Sequence, residues 1–191
     1  MNTFKELNTK TLDNCALPQP TEQAVLTLCD PVKTIVTDFA SYNPLRLLGT
    51  TSIDDALGAL REAATSFILV LDESANFSGV ISAADLQSAK VLSLATQLGL
   101  TRKDLTIEDM MTPIKKAQGV SLRYMETATI GDILHTMQKQ GAMFLMVLSA
   151  DNQVCGLISA REISRRLNIP LHITPIANGF HEVMMSVDHP H

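Results

Sequence analysis

The sequence predicts an α/β fold of two repeats, each ordered strand–helix–strand–strand–helix and packed about a pseudo-two-fold axis. Two observations carry this expectation. First, the chain matches itself. A shift of 77 residues sets 52–86 on 129–163 without a gap, and ten of those 35 positions are identical. The identities include Ile53/Ile130, Leu57/Leu134, Val70/Val147, Gly79/Gly156, Ile81/Ile158 and Ser82/Ser159. Second, both copies pass through the same change of hydrophobic period, from one apolar residue per helical turn to short continuous apolar runs. A unit of about 60 residues is marginal alone, so a sheet left with one bare apolar face is best buried against its own copy.

The elements follow in order. Ser52-Ile-Asp-Asp55 and Thr129-Ile-Gly-Asp132 read as helix starts, with a hydroxyl N-cap and a carboxylate three residues on. Ile53, Ala56, Leu57, Leu60 and Ala64 then fall on one helix face, as do Ile130, Ile133, Leu134 and Met137 in the second copy. The runs 67–71 and 144–148 are too short for helices and too continuous for surface strands, and read as buried strands. Polar turns at 72–76 and 149–153 lead to Gly79-Val-Ile81 and Gly156-Leu-Ile158, the return arms of hairpins. Ser82 and Ser159 open further helices, the first predicted to run unbroken over 83–100. Ahead of each helix a short strand is expected at 45–48 and at 120–125, and ahead of those a short helical segment at 34–39 and at 106–111. These last two pair at an offset near 71. The expected division is an N-terminal extension (1–31), a first repeat (32–100), a second (101–169) and a C-terminal tail (170–191).

Composition narrows the function. Hydrophobic residues make up 46% of the chain and charged residues 18%, enough for a packed core and too little charge for a disordered tail. There is no Trp and there are nine Met, so Leu, Ile, Val, Ala and Met must fill the core. The net charge is −5 and the basic residues are scattered in pairs such as Arg165-Arg166, which argues against a nucleic-acid partner. Cys15, Cys29 and Cys155 are far apart and lack CxxC spacing, which suggests buried thiols in a reducing compartment. No apolar run approaches the ~20 residues of a membrane span and the N-terminus lacks a signal-like core, so no membrane is expected and the expected location is cytoplasmic. There is no nucleophile motif, no phosphate-binding GxxxxGK[ST] loop and no metal-ligand cluster in the repeats. The expectation is no enzyme, no catalytic residue and no metal. The three His and two acids of residues 181–191 read as a polar tail rather than a metal site.

Four stretches resemble the CBS domain, which occurs in tandem as a Bateman module: Asp109-Met-Met-Thr-Pro113, the capped helix 52–64, the strand 68–72, and Gly79-Val-Ile-Ser-Ala-Ala-Asp85. Together they cover about residues 32–169. Two departures are visible. Leu69 and Met146 stand where the family usually has Pro, and the first entrance reads Thr37-Asp-Phe-Ala. The resemblance implies a stand-alone regulatory module that binds an adenosine nucleotide (AMP, ADP, ATP or an adenosyl ligand) between its repeats, acts on an unidentified effector protein and forms a homodimer. It implies no cofactor beyond that nucleotide. The alternative is a ligand-free dimerisation or scaffold module.

The resemblance also places the ligand on Ser82 and Asp85, and on Ser159 and Glu162. A helix start attracts phosphate, and a carboxylate accepts from two vicinal hydroxyls at once. The same residues read equally as capping boxes, which Ser52 and Thr129 already exemplify. The walls for the base would be Arg46-Leu47 and Arg123-Tyr124 on the first strands and Ile68 and Leu145 on the second, with Tyr124 stacking on the purine and Arg161 meeting phosphate. Asp85 should be the stronger acid toward a ribose, because Glu162 is one methylene longer and competes with its own capping bond.

Overall fold

The computed structural model describes residues 26–171, together with Thr9 and Ile173. In chain order the elements are β1 (Thr37–Asp38), β2 (Arg46–Leu48), α1 (Ile53–Glu62), β3 (Phe67–Leu71), β4 (Phe77–Ser82), α2 (Ala83–Leu86), α3 (Lys90–Leu98), α4 (Ile107–Met110), β5 (Thr112–Pro113), β6 (Gln118–Ser121), α5 (Ile130–Gln140), β7 (Phe144–Leu148), β8 (Val154–Ser159) and α6 (Ala160–Leu167). They form two four-stranded sheets, ordered β2-β3-β4-β5 and β1-β8-β7-β6. The duplication persists in detail. Both hairpins are irregular at the same place, Val70/Leu71 and Val147/Leu148. Left-handed residues recur 77 apart as well, at Ala64 and Gly141 and at Ala75 and Asn152.

Alternation along the strands sorts side chains between two faces. In the first sheet Ile68, Val70 and Ile81 join Ile53, Ala56, Leu60, Leu86 and Val91 in a core beneath the helices. In the second, Leu145, Val147 and Ile158 do the same with Ile130, Ile133, Met137 and Ile163. The opposite faces meet each other: Phe67, Leu69 and Val80 pack with Met146 and Leu157 in a shared inter-sheet cluster. Val70 and Val147 are fully buried. Two residues expected on the α1 face depart from it: Leu57 is half-buried where its partner Leu134 is buried, and Ala64 is exposed just past the end of the helix. The apolar faces of α1 and α5 are largely consumed by these cores.

The entrance segments cross over. β1 lies at the start of the expected first repeat but pairs with β8 of the second, Thr37 opposite Leu157 and Asp38 opposite Gly156. β5 lies near the start of the expected second repeat but pairs with β4 of the first, Pro113 opposite Gly79 and Thr112 opposite Val80. The cores are exchanged too, with Val32 and Ile35 buried in the second and Leu105 and Ile107 in the first. Backbone pairing repeats the pattern: the Leu105 carbonyl accepts from Ile53 N, and the Asp30 carbonyl from Ile130 N. Sheet and core membership thus divides the described residues into a continuous unit, 45–113, and a discontinuous one made of 26–39 and 118–171, with Ile173 packed against it. The crossing explains a residue pair that the sequence presented only as a motif. A Cβ on Gly79 would lie 2.6 Å from the Thr112 carbonyl oxygen, and one on Gly156 2.9 Å from that of Thr37. Each glycine is the gap through which the other repeat's entrance strand approaches.

Five expectations are corrected. Residues 34–39 are not helical: a 3-10 turn (Val32–Thr34) passes into β1. By sheet register the entrances pair at an offset of 75, not 71, since Thr37 and Thr112 face Leu157 and Val80. On that offset the counterpart of Asp109-Met-Met-Thr is Thr34-Ile-Val-Thr rather than Thr37-Asp-Phe-Ala. The strand expected at 120–125 is β6 at Gln118–Ser121, followed by a 3-10 turn, Leu122–Glu126. The helix expected over 83–100 breaks after Leu86, where Ser88 N and Oγ both turn back to the Asp85 carbonyl. Its second half, α3, ends at the left-handed Gly99. Finally, Cys29 is exposed and Cys155 only half-buried, while Cys15 and the tail 181–191 lie outside the described residues.

Candidate functional site

The first repeat gathers its chemistry at one end of its sheet. β2 runs parallel to β3 with Arg46 opposite Leu69, and the Leu45 carbonyl accepts from Leu69 N at 2.9 Å. A proline at 69 would have no N–H to give. β4 returns antiparallel so that Ser82 ends opposite Phe67, at the start of β3. Arg46 and Ser82 are therefore two strands and two residues apart, about 12 Å. At this same end, an open groove of about 460 Å³ is lined by Tyr42, Asn43, Pro44, Leu45, Arg46 and Ala63. Of the predicted residues only Arg46 lies on its wall.

Ser82 is buried and caps α2 with a complete capping box. Its Oγ accepts from Asp85 N at 3.1 Å, and Asp85 Oδ2 accepts from Ser82 N at 3.1 Å and from the Ser82 hydroxyl. All three bonds leave Asp85 Oδ1 without a protein partner among the described residues. The capping reading and the ligand reading are thus compatible, because a box consumes one carboxylate oxygen and a ribose can be met by the other.

The second repeat is built differently. Ser159 is buried and caps α6 by position, but its side chain makes no capping bond. Glu162 does not reach back to it. Its Oε2 accepts from Arg165 Nε at 3.0 Å, and its Oε1 from Arg165 Nη2 at 2.7 Å and Arg166 Nε at 2.8 Å. The hydrogen bond from Arg165, with Arg166 behind it, holds the Glu162 carboxyl below the usual carboxylate range and raises Arg165 in turn. The expected competition with a capping bond is replaced by competition with two guanidinium groups. Arg161 is exposed in the first turn of α6.

The predicted walls are placed less favourably. Leu47 is half-buried against the first core, and Ile68 and Leu145 have no exposed surface, lying on the helix side of their sheets. No face of either is available to a base. Arg123 and Tyr124 sit in the 3-10 turn after β6, which ends at Ser121 opposite Leu148, whereas Ser159 lies opposite Phe144 at the other end of β7. About 13 Å of strand separates the two ends. Both residues are exposed, and Arg123 stacks on Tyr124 at 5.0 Å from the ring centre. By register the counterparts of Arg46-Leu47 are Gly119-Val120, opposite Met146 and Val147. Four extra residues after β6 and two fewer before it hide this from a gapless alignment. Tyr42, Asn43 and Ala63, which line the groove, were absent from the sequence-derived set. Their signal was weak, since they stand in a loop and at a helix end outside the repeat identities.

A protein-family model for the CBS domain matches residues 36–91 and 125–169. Solved structures share the fold. A conserved protein of uncharacterised function from Pyrococcus horikoshii superimposes with a TM-score of 0.53 at 16% identity, over 77% of this chain and 98% of that one. A conserved CBS domain protein of unknown function from Thermoplasma acidophilum gives 0.52 at 15%, over 83% and 76%. CBSX2, solved in complex with AMP, gives 0.45 at 22%, over 71% and 93%. No match is found among curated proteins. Among the described residues no helix is long and apolar enough to cross a membrane.

Proposed function

The chain belongs to the CBS domain family, and on that premise we propose that it is a regulatory module that binds an adenosine nucleotide at the half-site of the first repeat. One observation carries the proposal: the Gly79-to-Asp85 run ends in a capped carboxylate with one oxygen unengaged among the described residues, at the end of the sheet that also bears the groove at Tyr42–Arg46. Asp85 Oδ1 would accept from a ribose hydroxyl, the groove would take the base against Pro44 and Leu45, and Arg46 would answer negative charge on the phosphate. Binding would act on an effector by shifting populations, limited by the difference in affinity between the two states. Catalysis forms no part of this reading.

The scaffold reading draws on the same capping box, which gives Ser82 and Asp85 a complete structural role without a ligand. Titration calorimetry of the full chain with AMP, ADP, ATP and S-adenosylmethionine separates the two. Saturable binding of one of them, weakened by Asp85→Asn, supports the nucleotide reading. Heat indistinguishable from dilution for all four leaves the scaffold.

A further inference from the structure

The two copies of the acid-bearing turn have the same backbone origin and opposite electrostatic settings. At the positions 77 residues before Arg165 and Arg166, the first repeat has Ser88 and Ala89. Ser88 turns its hydroxyl to the Asp85 carbonyl, and alanine offers nothing to a carboxylate. Asp85 is therefore drawn toward the N-cap. In the second repeat both oxygens of Glu162 are drawn the other way, along α6 toward its C-terminal end, by three guanidinium bonds of 2.7–3.0 Å. Ser159 is left without the capping bond that Ser82 makes.

We propose that Arg165 and Arg166 determine specificity by sequestering Glu162, so that the second half-site is closed to ribose and the chain holds one adenosine ligand, at the first. This rests on the nucleotide reading above. To engage Glu162, a ribose must supply two neutral hydroxyl donors in exchange for charge-assisted bonds, one pair of them bidentate, which are the stronger kind. The pair need not contribute much to folding to do this. Arg165 and Arg166 are 68% and 43% exposed, and ion pairs this open contribute little to stability. Sequestering needs only that guanidinium outcompete hydroxyl at a carboxylate that is itself 29% exposed. The depressed Glu162 carboxyl fits the same geometry, since its charge is already satisfied.

The test is calorimetry of the full chain with adenosine and with AMP, on the parent and on an Arg165→Gln/Arg166→Gln variant. The parent should bind one ligand per chain, lost on Asp85→Asn. The double variant should gain a second event, about ten- to a hundred-fold tighter than any residual second binding in the parent. That event should survive Asp85→Asn and disappear with Glu162→Gln. Simple charge loss predicts the reverse for AMP, because removing two cations weakens binding of an anion; adenosine, being neutral, isolates the sequestering effect. Two ligands on the parent, or one on a double variant with parental thermal unfolding, overturns the inference while leaving the nucleotide reading in place. Absence of binding by every form overturns both. A ligand-free measurement closes the remaining route: the Glu162 carboxyl, followed by NMR, should titrate below the usual carboxylate range in the parent and move up in the double variant. An unmoved titration refutes the sequestering itself.

Discussion

Gly79→Ala is the sharpest test of the crossed entrance strands. The new Cβ would stand 2.6 Å from the Thr112 carbonyl oxygen and 2.7 Å from Met111 Sδ. The sulfur ends a flexible side chain and can move. The carbonyl belongs to β5, whose pairing with β4 consists of Gly79 with Pro113 and Val80 with Thr112, next to the 2.8 Å bond from Ile114 N to the Ser78 carbonyl. Restoring van der Waals distance requires β5 to retreat by most of an ångström, and overpacking of this kind costs about 1–3 kcal/mol. For a chain of this length that is roughly 2–12 °C in Tm. Gly156→Ala, whose Cβ would lie 2.9 Å from the Thr37 oxygen, should cost less. Gly58→Ala is the control: nothing lies within 4 Å of its Cβ in the interior of α1, so it should stabilise by about 0.5–1 kcal/mol. Urea and thermal unfolding of the three variants give the ranking. If Gly79→Ala unfolds within 0.5 kcal/mol of the parent, roughly the noise of a neutral surface change, the close approach of β5 is wrong.

Three further outcomes are expected. Ala64→Gly should stabilise by about 0.5–1 kcal/mol, because Ala64 sits at φ 49° where its partner is Gly141 and the left-handed region costs an L-residue about 1–2 kcal/mol, partly offset by glycine's entropy in the unfolded chain; an unchanged or lower urea midpoint would refute it. Asp104 and Asp132 are held below the ordinary carboxylate range, Asp104 mainly by the Thr101 hydroxyl and Asp132 mainly by the Thr129 N–H. Their folded values lie below the unfolded ones, so their contribution is complete above the unfolded value and lost as pH falls; the urea midpoint should be lower at pH 3 than at pH 7, and an equal midpoint contradicts the assignment. Light scattering should give twice the 20.8 kDa chain mass at micromolar concentration, with Leu92, 63% exposed on α3, as the apolar side chain to be covered; a monomer, or a dimer indifferent to Leu92→Lys, argues against that surface.

Much of this architecture was legible because it is local. The 77-residue match fixes what lies inside one copy, and inside 52–86 and 129–163 the capped helices, buried strands and hairpin irregularities recur as the repeat requires. Apolar periodicity identifies the faces of those elements because burial on each face is continuous. What was lost lies where the chain leaves the copy. Two-residue strands such as β1 and β5 have no period to read, and their partners are more than thirty residues away in another repeat. The offsets before the first helices are set by loops, which tolerate insertions. A gapless comparison therefore placed Arg123-Tyr124 on a strand that ends at Ser121.

The candidate site divides along the same line. Ser82 and Asp85 were legible because capping and ligand chemistry ask for the same residues at the same spacing, so either reading selects them. Glu162 was legible as a residue but not as a state. Its spacing from Ser159 suits a capping box, and its spacing from Arg165 and Arg166, three and four residues on, suits helical ion pairs. Sequence alone assigns no priority between two local partners. Charge does. A neutral serine hydroxyl and one N–H compete with two guanidinium groups, one of them bidentate, and the charge-assisted set prevails. The same comparison, made with ribose hydroxyls in place of serine, is why two turns of one ancestry need not bind the same ligand.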